Sequence, residues 1–401
     1  MKRFKYIYTT VIAMLALCSC ERNDVLGDED INIPIPENGY IFFDTGINSR
    51  GSLVHGTELN DDFSVLGYKY IESSWYGIES MASQASSSIY RVFNHTPLFV
   101  DNENGYDDFD NDDKTLVEWE NKKYTFFAWY PVITDENKAY LSWSSRNSEG
   151  EVVDGKTKEG TPYITYTLNR SDATKHIDVM TASKVNHRVG NSNKNVTLNM
   201  QHRLSALEII ARSYVNAAAL ELKEANATAN VVINSLSITL DGLLYDKAEI
   251  PLNTDDNELN AHHIISYNSD NNTTASFDII DKAVKLDYYS AIDDVAKLTS
   301  ATNKTMILIP QEGALNCTLT ISYDFVDGNG ESLWDTIYPI ENYPDEDKRP
   351  SKTKVIEGVK INKLLENFYY EILLSFTKSG VTVNVQEAEA WGEIDINHEF
   401  E

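Results

Sequence analysis

The feature that most constrains the fold is an alternation of apolar and polar residues with a period of two. In CTLTISYDFV (317–326) every second residue is apolar, and the turn sequence Asp327-Gly328-Asn329-Gly330 follows. Successive side chains of a β-strand point to opposite faces, so this pattern predicts a half-buried strand that enters a hairpin. The same period appears in VTLNMQHRL (196–204), YYEILLSF (369–376) and VTVNV (381–385).

Helical periodicity is nearly absent from the chain. The best candidate is AAALELKEANA (217–227), which suits a short connecting helix, whereas the acidic run 101–113 and the segment 253–274 suit loops. A chain of 401 residues exceeds what one hydrophobic core usually organises. We therefore predict an all-β fold with two antiparallel β-sandwich domains in tandem, at residues 39–213 and 214–401.

The N-terminus has the features of an export signal over residues 1–19. Three basic residues precede an apolar stretch from Ile7 to Leu17, which is too short to span a bilayer. The sequence LCSC (17–20) is similar to a bacterial lipobox and makes Cys20 the predicted lipidation site and new N-terminus; a cleaved signal without lipid is the alternative. No later stretch reaches the roughly 18 apolar residues of a membrane span, so a lipid on Cys20 is the expected membrane attachment. Residues 20–38 are predicted to be an N-terminal linker.

The charge of the chain argues against nucleic-acid binding, and its cysteine content argues against a disulfide bond. The chain has 34 basic and 62 acidic residues, a formal net charge of −28, and such a chain is repelled by nucleic acid. With Cys18 removed with the signal and Cys20 lipidated, Cys317 has no partner for a disulfide. The predicted cores must therefore stabilise the exported chain by themselves.

One short motif suggests nucleotide binding. The stretch GEVVDGKT (150–157) fits the phosphate-binding pattern G-x-x-x-x-G-K-[ST], but that pattern requires a buried strand before it and a helix after it. The polar sequence SWSSRNSE precedes the motif, and Gly160 and Pro162 follow it. We interpret it as the tip of a β-hairpin that joins a strand at residues 140–143 to one at residues 163–168.

Other candidate sites are weak, and no cofactor or metal is predicted. Asp108, Asp110 and Asp112 have the spacing of a calcium loop but lack the glycine and the twelfth ligand that such a loop requires. The adjacent His262 and His263 would point to opposite faces of a strand, which does not suit zinc. His202 is in phase with apolar neighbours and is predicted to be a hydrogen-bonded core residue. No catalytic motif is present, so we predict that the chain is not an enzyme.

A family resemblance rests on the order of several segments. These are the lipobox, GYIFFD (39–44), INSRGS (47–52), FSVLGYKY (63–70), YTFFAWYP (124–131), DVMTA (178–182), LNMQHRLSALEI (198–209), ILIPQ (307–311), NFYYEILLSF (367–376) and VTVNVQEAEAW (381–391). In this order they resemble the fimbrillins, lipoprotein precursors that form the type V pili of Gram-negative anaerobes. The resemblance covers nearly the whole mature chain.

The resemblance implies a fold and an assembly route. It implies two transthyretin-like β-sandwiches, export to the cell outer membrane as a surface-exposed lipoprotein, and a structural or adhesive role in a fimbrium. Family members are cut by an arginine-specific protease after the first strand, and here Arg50 and Gly51 match that position; the alternative is an ordinary surface arginine in a turn. Loss of the first strand opens a groove, which a strand of the next subunit fills.

The resemblance also indicates residues and partners for this strand exchange. In the first strand Ile41 and Phe43 lie on one face and Phe42 on the other, and their removal would leave the groove. The region from Val381 to Ile396 is the predicted donor, because its alternating pattern suits a groove. The expected partners are other pilus subunits, outer-membrane lipid through the acyl anchor of the precursor, and a host protein or glycan.

A second function remains open at this point. A surface glycan-binding lipoprotein of a nutrient-uptake system would use exposed tryptophans as platforms on which sugars stack. The chain has six tryptophans, but Trp129 and Trp391 lie in strand-like segments where core packing also explains them.

Overall fold

The structure is a computed structural model that describes residues 41–47, 63–70, 89–101, 105–109, 118–120, 122–146, 152–153, 161–188, 195–223, 227–242, 244–252, 264–267, 274–290 and 295–390. Across these residues the chain forms strands β1 (Phe42–Ile47), β2 (Phe63–Tyr70), β3 (Ile89–Asp101), β4 (Gly105–Phe109), β5 (Lys123–Tyr130), β6 (Leu141–Arg146), β7 (Val152–Val153), β8 (Thr161–Thr167), β9 (Met180–His187), β10 (Asn195–His202), β11 (Ser205–Ser213), β12 (Asn230–Asp241), β13 (Lys247–Pro251), β14 (Ile265–Tyr267), β15 (Thr274–Asp278), β16 (Val284–Leu286), β17 (Ala296–Lys297), β18 (Met306–Leu308), β19 (Leu315–Val326), β20 (Thr353–Ile361), β21 (Phe368–Thr377) and β22 (Gly380–Ala390).

Helical structure in the described residues is limited to single turns. One α-helical turn spans Trp334–Ile337, and 3-10 turns span Ala173–Lys175, Ser300–Thr302, Ile340–Asn342 and Glu346–Lys348. The predicted all-β fold class is confirmed. The finer prediction of two transthyretin-like sandwiches in tandem stays a prediction.

The strands form four sheets. A closed sheet has the order β1-β10-β9-β5-β2-β3-β4. The other three have the orders β17-β11-β21-β22 with β18 also on β11, β15-β12-β19-β20 with β16 also on β12, and β14-β13-β8-β6-β7. Strand β11 lies within the predicted first domain but pairs with β21 of the predicted second, so sheet pairing crosses the proposed boundary at residue 213. The domain division stays a prediction.

Strand β5 contributes side chains to two hydrophobic cores, one inside the closed sheet and one outside it. Its residues 124–129 are all buried. Tyr124, Phe126 and Ala128 belong to a core cluster that also includes Ile41 and Phe43. Phe127 and Trp129 belong to the much larger cluster that fills the remainder of the protein. One strand with two apolar faces thus joins both cores, which is why the sequence YTFFAWY shows no alternation.

The strand predicted from the alternation of CTLTISYDFV is β19. Its apolar residues are buried and its polar residues are partly exposed, as the period of two predicts. The predicted turn follows: the backbone N–H groups of Asn329 and Glu331 donate to the Asp327 carboxylate at 2.8 Å, and Gly330 has a φ of 85°. The chain turns back as predicted, but for a single antiparallel bridge, Val326 opposite Ser332, with the Leu333 N–H donating to the Phe325 carbonyl. It then passes through helical turns before β20 pairs antiparallel with most of β19.

Three predictions of local structure are wrong, and one of them is the loop expected at 253–274, which contains strand β14 paired with β13. In the described part of the helix expected at 217–227, residues 217–221 form a turn. The Leu220 N–H donates to the Asn216 carbonyl, and Glu221 has a φ of 57°, which an α-helix does not accommodate. The acidic run 101–113 contains strand β4, which pairs with β3 and β1. In all three places tertiary pairing and packing outweigh weak local preferences.

Candidate functional site

Strand β1 closes the first sheet and is held unequally on its two sides. On one side it pairs parallel with β10 over its whole length, from Phe42 opposite Asn195 to Ile47 opposite Met200. On the other side it pairs with β4 at one position, Phe43 opposite Tyr106. The sequence predicts antiparallel sheets, and this parallel pair is an exception, as is the pair of β11 with β21. Few backbone contacts therefore hold β1 on its β4 side.

Two side chains at the start of this segment, those of residues 41 and 43, lie inside the closed sheet. Ile41 and Phe43 are fully buried, and the Phe43 ring meets the Phe126 ring edge to face at a centroid distance of 5.2 Å. Burying a side chain of this size stabilises a fold by roughly 1.5–3 kcal/mol. Phe42 lies in β1, but its side chain is outside the described part. Their cluster has these other buried members: Phe63, Val65, Trp119, Tyr124, Phe126, Ala128, Met180, Ala182, Val196, Leu198 and Met200.

Strand β10 depends on β1 for most of its pairing. In the described chain its other neighbour, β9, meets it at Gln201 and His202 only. Its residues 195–200 pair with β1 alone, while Val196, Leu198 and Met200 point into the core. If β1 were removed, β10 would keep its buried side chains and lose its backbone partner. A groove with an open β10 edge would result, which is the kind of site that accepts a new strand.

His202 lies at the end of this groove and is structural, as predicted. It is fully buried, and its Nδ1 lies 2.9 Å from the Asp178 Oδ1.

The other predicted processing sites lie outside the described residues. These are Cys20, Arg50 and Gly51, so lipidation and cleavage stay predictions. Arg50 follows the end of β1 at Ile47 by three residues. Among the residues that the structure describes, no helix has the length and apolar character needed to cross a membrane.

The phosphate-binding motif lies between two paired strands. As predicted, β6 and β8 form an antiparallel pair from Leu141 opposite Tyr166 to Arg146 opposite Thr161. Within the motif, Val152 and Val153 form β7 and pair with β6. Lys156 and Thr157 lie outside the described residues. The part of the motif that is described thus extends a sheet.

The candidate metal residues do not come together in the described chain. Asp108 lies in β4 opposite Phe99, in an extended strand instead of a calcium loop. Asp110, Asp112, His262 and His263 fall outside the described residues. No group of three or more potential metal ligands occurs among the residues that are described.

The tryptophans that the structure describes are core residues. Trp119, Trp129 and Trp334 are buried, and the partly buried Trp143 stacks at a tilt on Trp129 with a centroid distance of 5.9 Å. Trp75 and Trp391 lie outside the described part. None of the four described tryptophans offers the exposed face that a sugar-stacking platform requires.

Sequence reasoning missed a buried pair of carboxylates. Glu208 and Glu371 lie directly opposite each other on the parallel strands β11 and β21, and both are buried. The Tyr369 hydroxyl donates to Glu208 Oε2. Burial and the neighbouring Glu208 raise the pKa of Glu371, and Lys297 opposes them. The only signal in the sequence is an acidic residue inside each of two otherwise apolar strands.

This pair predicts a specific pH dependence. The folded state raises the pKa of Glu371, so protonation of this side chain stabilises the fold. That stabilisation is complete below the pKa of Glu371 in the unfolded chain and is lost as the pH rises through its pKa in the folded chain. Glu371→Gln mimics the protonated form, so urea unfolding should show the variant gaining stability relative to the unchanged chain as pH rises from 4.5 to 8. Glu357→Gln on the exposed face of β20 is the control. A difference for Glu371→Gln that does not vary with pH would contradict the prediction.

Comparison with known proteins decides the family. The profile of the fimbrillin-like family matches residues 74–337. The chain belongs to the fimbrillin-like family. No curated protein sequence matches it.

Several solved structures are similar to this fimbrillin-like chain. A candidate cell adhesion protein from Bacteroides ovatus is 14% identical, with 88% of this chain and 97% of that chain covered and a TM-score of 0.42. A second one, from Bacteroides uniformis, is 12% identical, with 89% and 99% covered and a TM-score of 0.36. A fimbrial protein from Bacteroides ovatus is 12% identical, with 83% of this chain and 48% of that chain covered and a TM-score of 0.31.

Proposed function

We propose that this fimbrillin-like chain is a structural or adhesive subunit of a cell-surface pilus that assembles by strand exchange. Family membership supports a fimbrial or adhesive role and a place on a cell-surface appendage. The observation that carries the finer proposal is the segment 41–47, which places Ile41 and Phe43 in a core and forms β1, the main partner of β10. A structural role of this kind needs no catalytic residues.

The proposed route begins with export as a lipoprotein anchored through Cys20 to the outer membrane. Cleavage between Arg50 and Gly51 then separates β1 from the folded chain. Because Ile41 and Phe43 together contribute roughly 3–6 kcal/mol of burial, the emptied groove favours any strand that restores this contact. Another pilus subunit supplies that strand. A host protein or glycan is the proposed target of an adhesive subunit.

The source of the donor strand is constrained by β22. The predicted donor region begins at Val381, but residues 380–390 already pair with β21 in the free chain. Donation from this region therefore requires either separation of β22 from β21 or use of the residues after Ala390.

Cleavage at Arg50 should convert the monomer into multimers. The chain without residues 1–20 would be digested with an arginine-specific protease and followed by size-exclusion chromatography, with mass spectrometry to locate the cut. We expect multimers after digestion of the unchanged chain. Arg50→Ala and Arg50→Lys, the second of which keeps the charge, should stay monomeric under the same treatment.

Two outcomes would count against this route. A clean cut after Arg50 with a product that stays monomeric would contradict strand exchange between identical subunits. Absence of any cut in the folded chain would contradict processing at Arg50.

A further inference from the structure

Strand β18 has backbone groups on its outer side that are bonded by two side chains instead of a neighbouring strand. Within the described chain β18 pairs with β11 alone, where Ile307 lies opposite Ala206. The Ile307 N–H donates to His176 Nδ1 at 3.0 Å, and the Tyr166 hydroxyl donates to the Ile307 carbonyl at 3.3 Å. Both polar groups of Ile307 that point away from β11 are thus satisfied, and the edge of β18 is closed.

His176 lies in the turn that follows β8, and Tyr166 lies in β8 itself. The His176 Nε2 lies 2.8 Å from the Asn169 carbonyl oxygen, and Asn169 holds the turn because its Oδ1 accepts from the Asp172 N–H at 2.9 Å. The His176 ring also meets the ring of Phe277 in β15 edge to face, at a centroid distance of 5.2 Å. His176 therefore ties this turn to two strands, β15 and β18, from distant parts of the chain.

The partners of His176 determine which of its ring nitrogens carries the proton. Nε2 faces the Asn169 carbonyl, which can only accept, so Nε2 carries the hydrogen. Nδ1 faces the Ile307 N–H, which can only donate, so Nδ1 carries none. A second proton on the ring would place two donors against each other. The bonded arrangement is therefore compatible with the neutral ring alone.

The surroundings of His176 also favour the neutral ring. Burial lowers the pKa of His176 to about 4, although the bond to the Asn169 carbonyl and the charge of Asp172 oppose this effect. In the described chain Asp172 is the charged side chain that acts on the ring. The groups that meet His176 or its partner from the other elements are uncharged: Phe277 of β15, Ile307 of β18 and Tyr166 of β8, whose hydroxyl pKa is raised by burial.

We propose that His176 is a pH-sensitive latch, which holds the turn after β8 against the edge of β18 while its ring is neutral and releases that edge when the ring gains a proton. Release leaves the Ile307 N–H without its acceptor. The outer edge of β18 then opens, and an open strand edge is a site to which another strand can add. The latch does not depend on cleavage at Arg50 or on the groove under β1.

The direction of the pH dependence follows from the two states of the latch. In the released state His176 regains the ordinary histidine pKa of 6.5, whereas in the closed state its pKa is about 4. The latch therefore holds fully above pH 6.5 and is lost as the pH falls through 4. Between pH 7 and pH 5 the ratio of released to closed latch should rise about twentyfold.

Amide hydrogen exchange at Ile307 measures the latch, because this N–H bonds to His176 itself. Its protection factor, measured by NMR and corrected for the intrinsic pH dependence of exchange, should fall about twentyfold from pH 7 to pH 5. The N–H groups of an edge strand alternate in direction, so those of Met306 and Leu308 point to β11. Their protection factors should fall less than that of Ile307 over the same interval.

Two variants separate the latch from other titrating groups. His176→Asn keeps an acceptor near the position of Nδ1 but does not titrate, so the additional loss of protection at Ile307 should disappear. His187→Asn is the matched control, because burial also lowers the pKa of His187 to about 4 but this residue lies in β9 of the closed sheet. In that variant the twentyfold change at Ile307 should remain.

Two results would overturn the proposal. The first is a protection factor at Ile307 that falls in step with those of Met306 and Leu308. This comparison is made in the unchanged chain, so it does not require that any variant folds. The second is an additional loss at Ile307 that persists in His176→Asn or disappears in His187→Asn, since a different histidine or carboxylate would then control this edge.

Discussion

Arg203→Ala is expected to lower the free energy of unfolding by about 3–5 kcal/mol. The Arg203 side chain is 2% exposed and is among the largest fully buried side chains of the described chain. Its guanidinium donates to Thr181 Oγ1 at 3.0 Å and to the Pro251 carbonyl at 3.3 Å, and its Nε forms an ion pair with Glu366. Burial lowers the pKa of Arg203 while Glu366 opposes this effect, so the charge depends on its partners.

The position of these partners explains the size of the effect. Thr181 lies in β9 of the closed sheet, Pro251 ends β13 of another sheet, and Glu366 precedes β21 of a third. Alanine would leave a cavity and polar groups without their donor at the point where three sheets meet. Equilibrium unfolding in urea gives the measurement.

Two further variants test this explanation. Arg188→Ala removes an exposed arginine and should change the stability by less than about 0.5 kcal/mol. Glu366→Ala should cost less than Arg203→Ala, because the Glu366 side chain is 35% exposed and leaves Arg203 its other two acceptors. An equal loss of unfolding free energy in Arg188→Ala and Arg203→Ala would show that the buried arginine does not join the sheets.

The strands with strict alternation are predictable from the sequence because one face of each is buried and the other is not. Strand β19 is the clearest case, and β10 and β22 follow the same pattern. Strand β5 is apolar on both faces, and its sequence alone does not say that it separates two cores. Local sequence therefore identifies strands well but does not identify their neighbours.

Pairing partners depend on distant parts of the chain, and the wrong predictions arise there. Nothing in GYIFFD indicates that β1 runs parallel to β10, more than 140 residues later. Strand β4 exists because it completes the closed sheet, although its sequence GYDDF has little strand propensity. At residues 217–221 a turn that buries Leu220 forms in place of the helix that the alanines favour.

The candidate site was predictable only in part. The apolar residues Ile41 and Phe43 are visible in the sequence, and the structure places both in the core. The dependence of β10 on β1 follows from the short contact between β10 and β9, which no sequence pattern encodes. Buried charges such as Arg203 and Glu208 are missed for a related reason, since their burial depends on partners far away in sequence.

Phe43→Ala should destabilise the chain by about 3–5 kcal/mol and loosen β10 in particular. The Phe43 ring is fully buried against Phe126, and the hole left by alanine lies under the strand that closes the sheet. Because residues 195–200 pair only with β1 in the described chain, their amides should exchange with solvent faster in the variant than those of Gln201 and His202, which also pair with β9. Urea unfolding and amide hydrogen exchange measure the two effects.

A matched substitution on the same ladder separates loss of the core contact from general weakening of the sheet. Thr197 lies opposite Asp44 on β10 but is exposed, so Thr197→Ala should cost less than about 1 kcal/mol and leave exchange at residues 195–200 nearly unchanged. If Phe43→Ala destabilised the chain without a larger increase in exchange at 195–200 than at 201–202, β10 would not depend on β1. The proposed strand exchange would then lose the observation on which it rests, the dependence of β10 on β1.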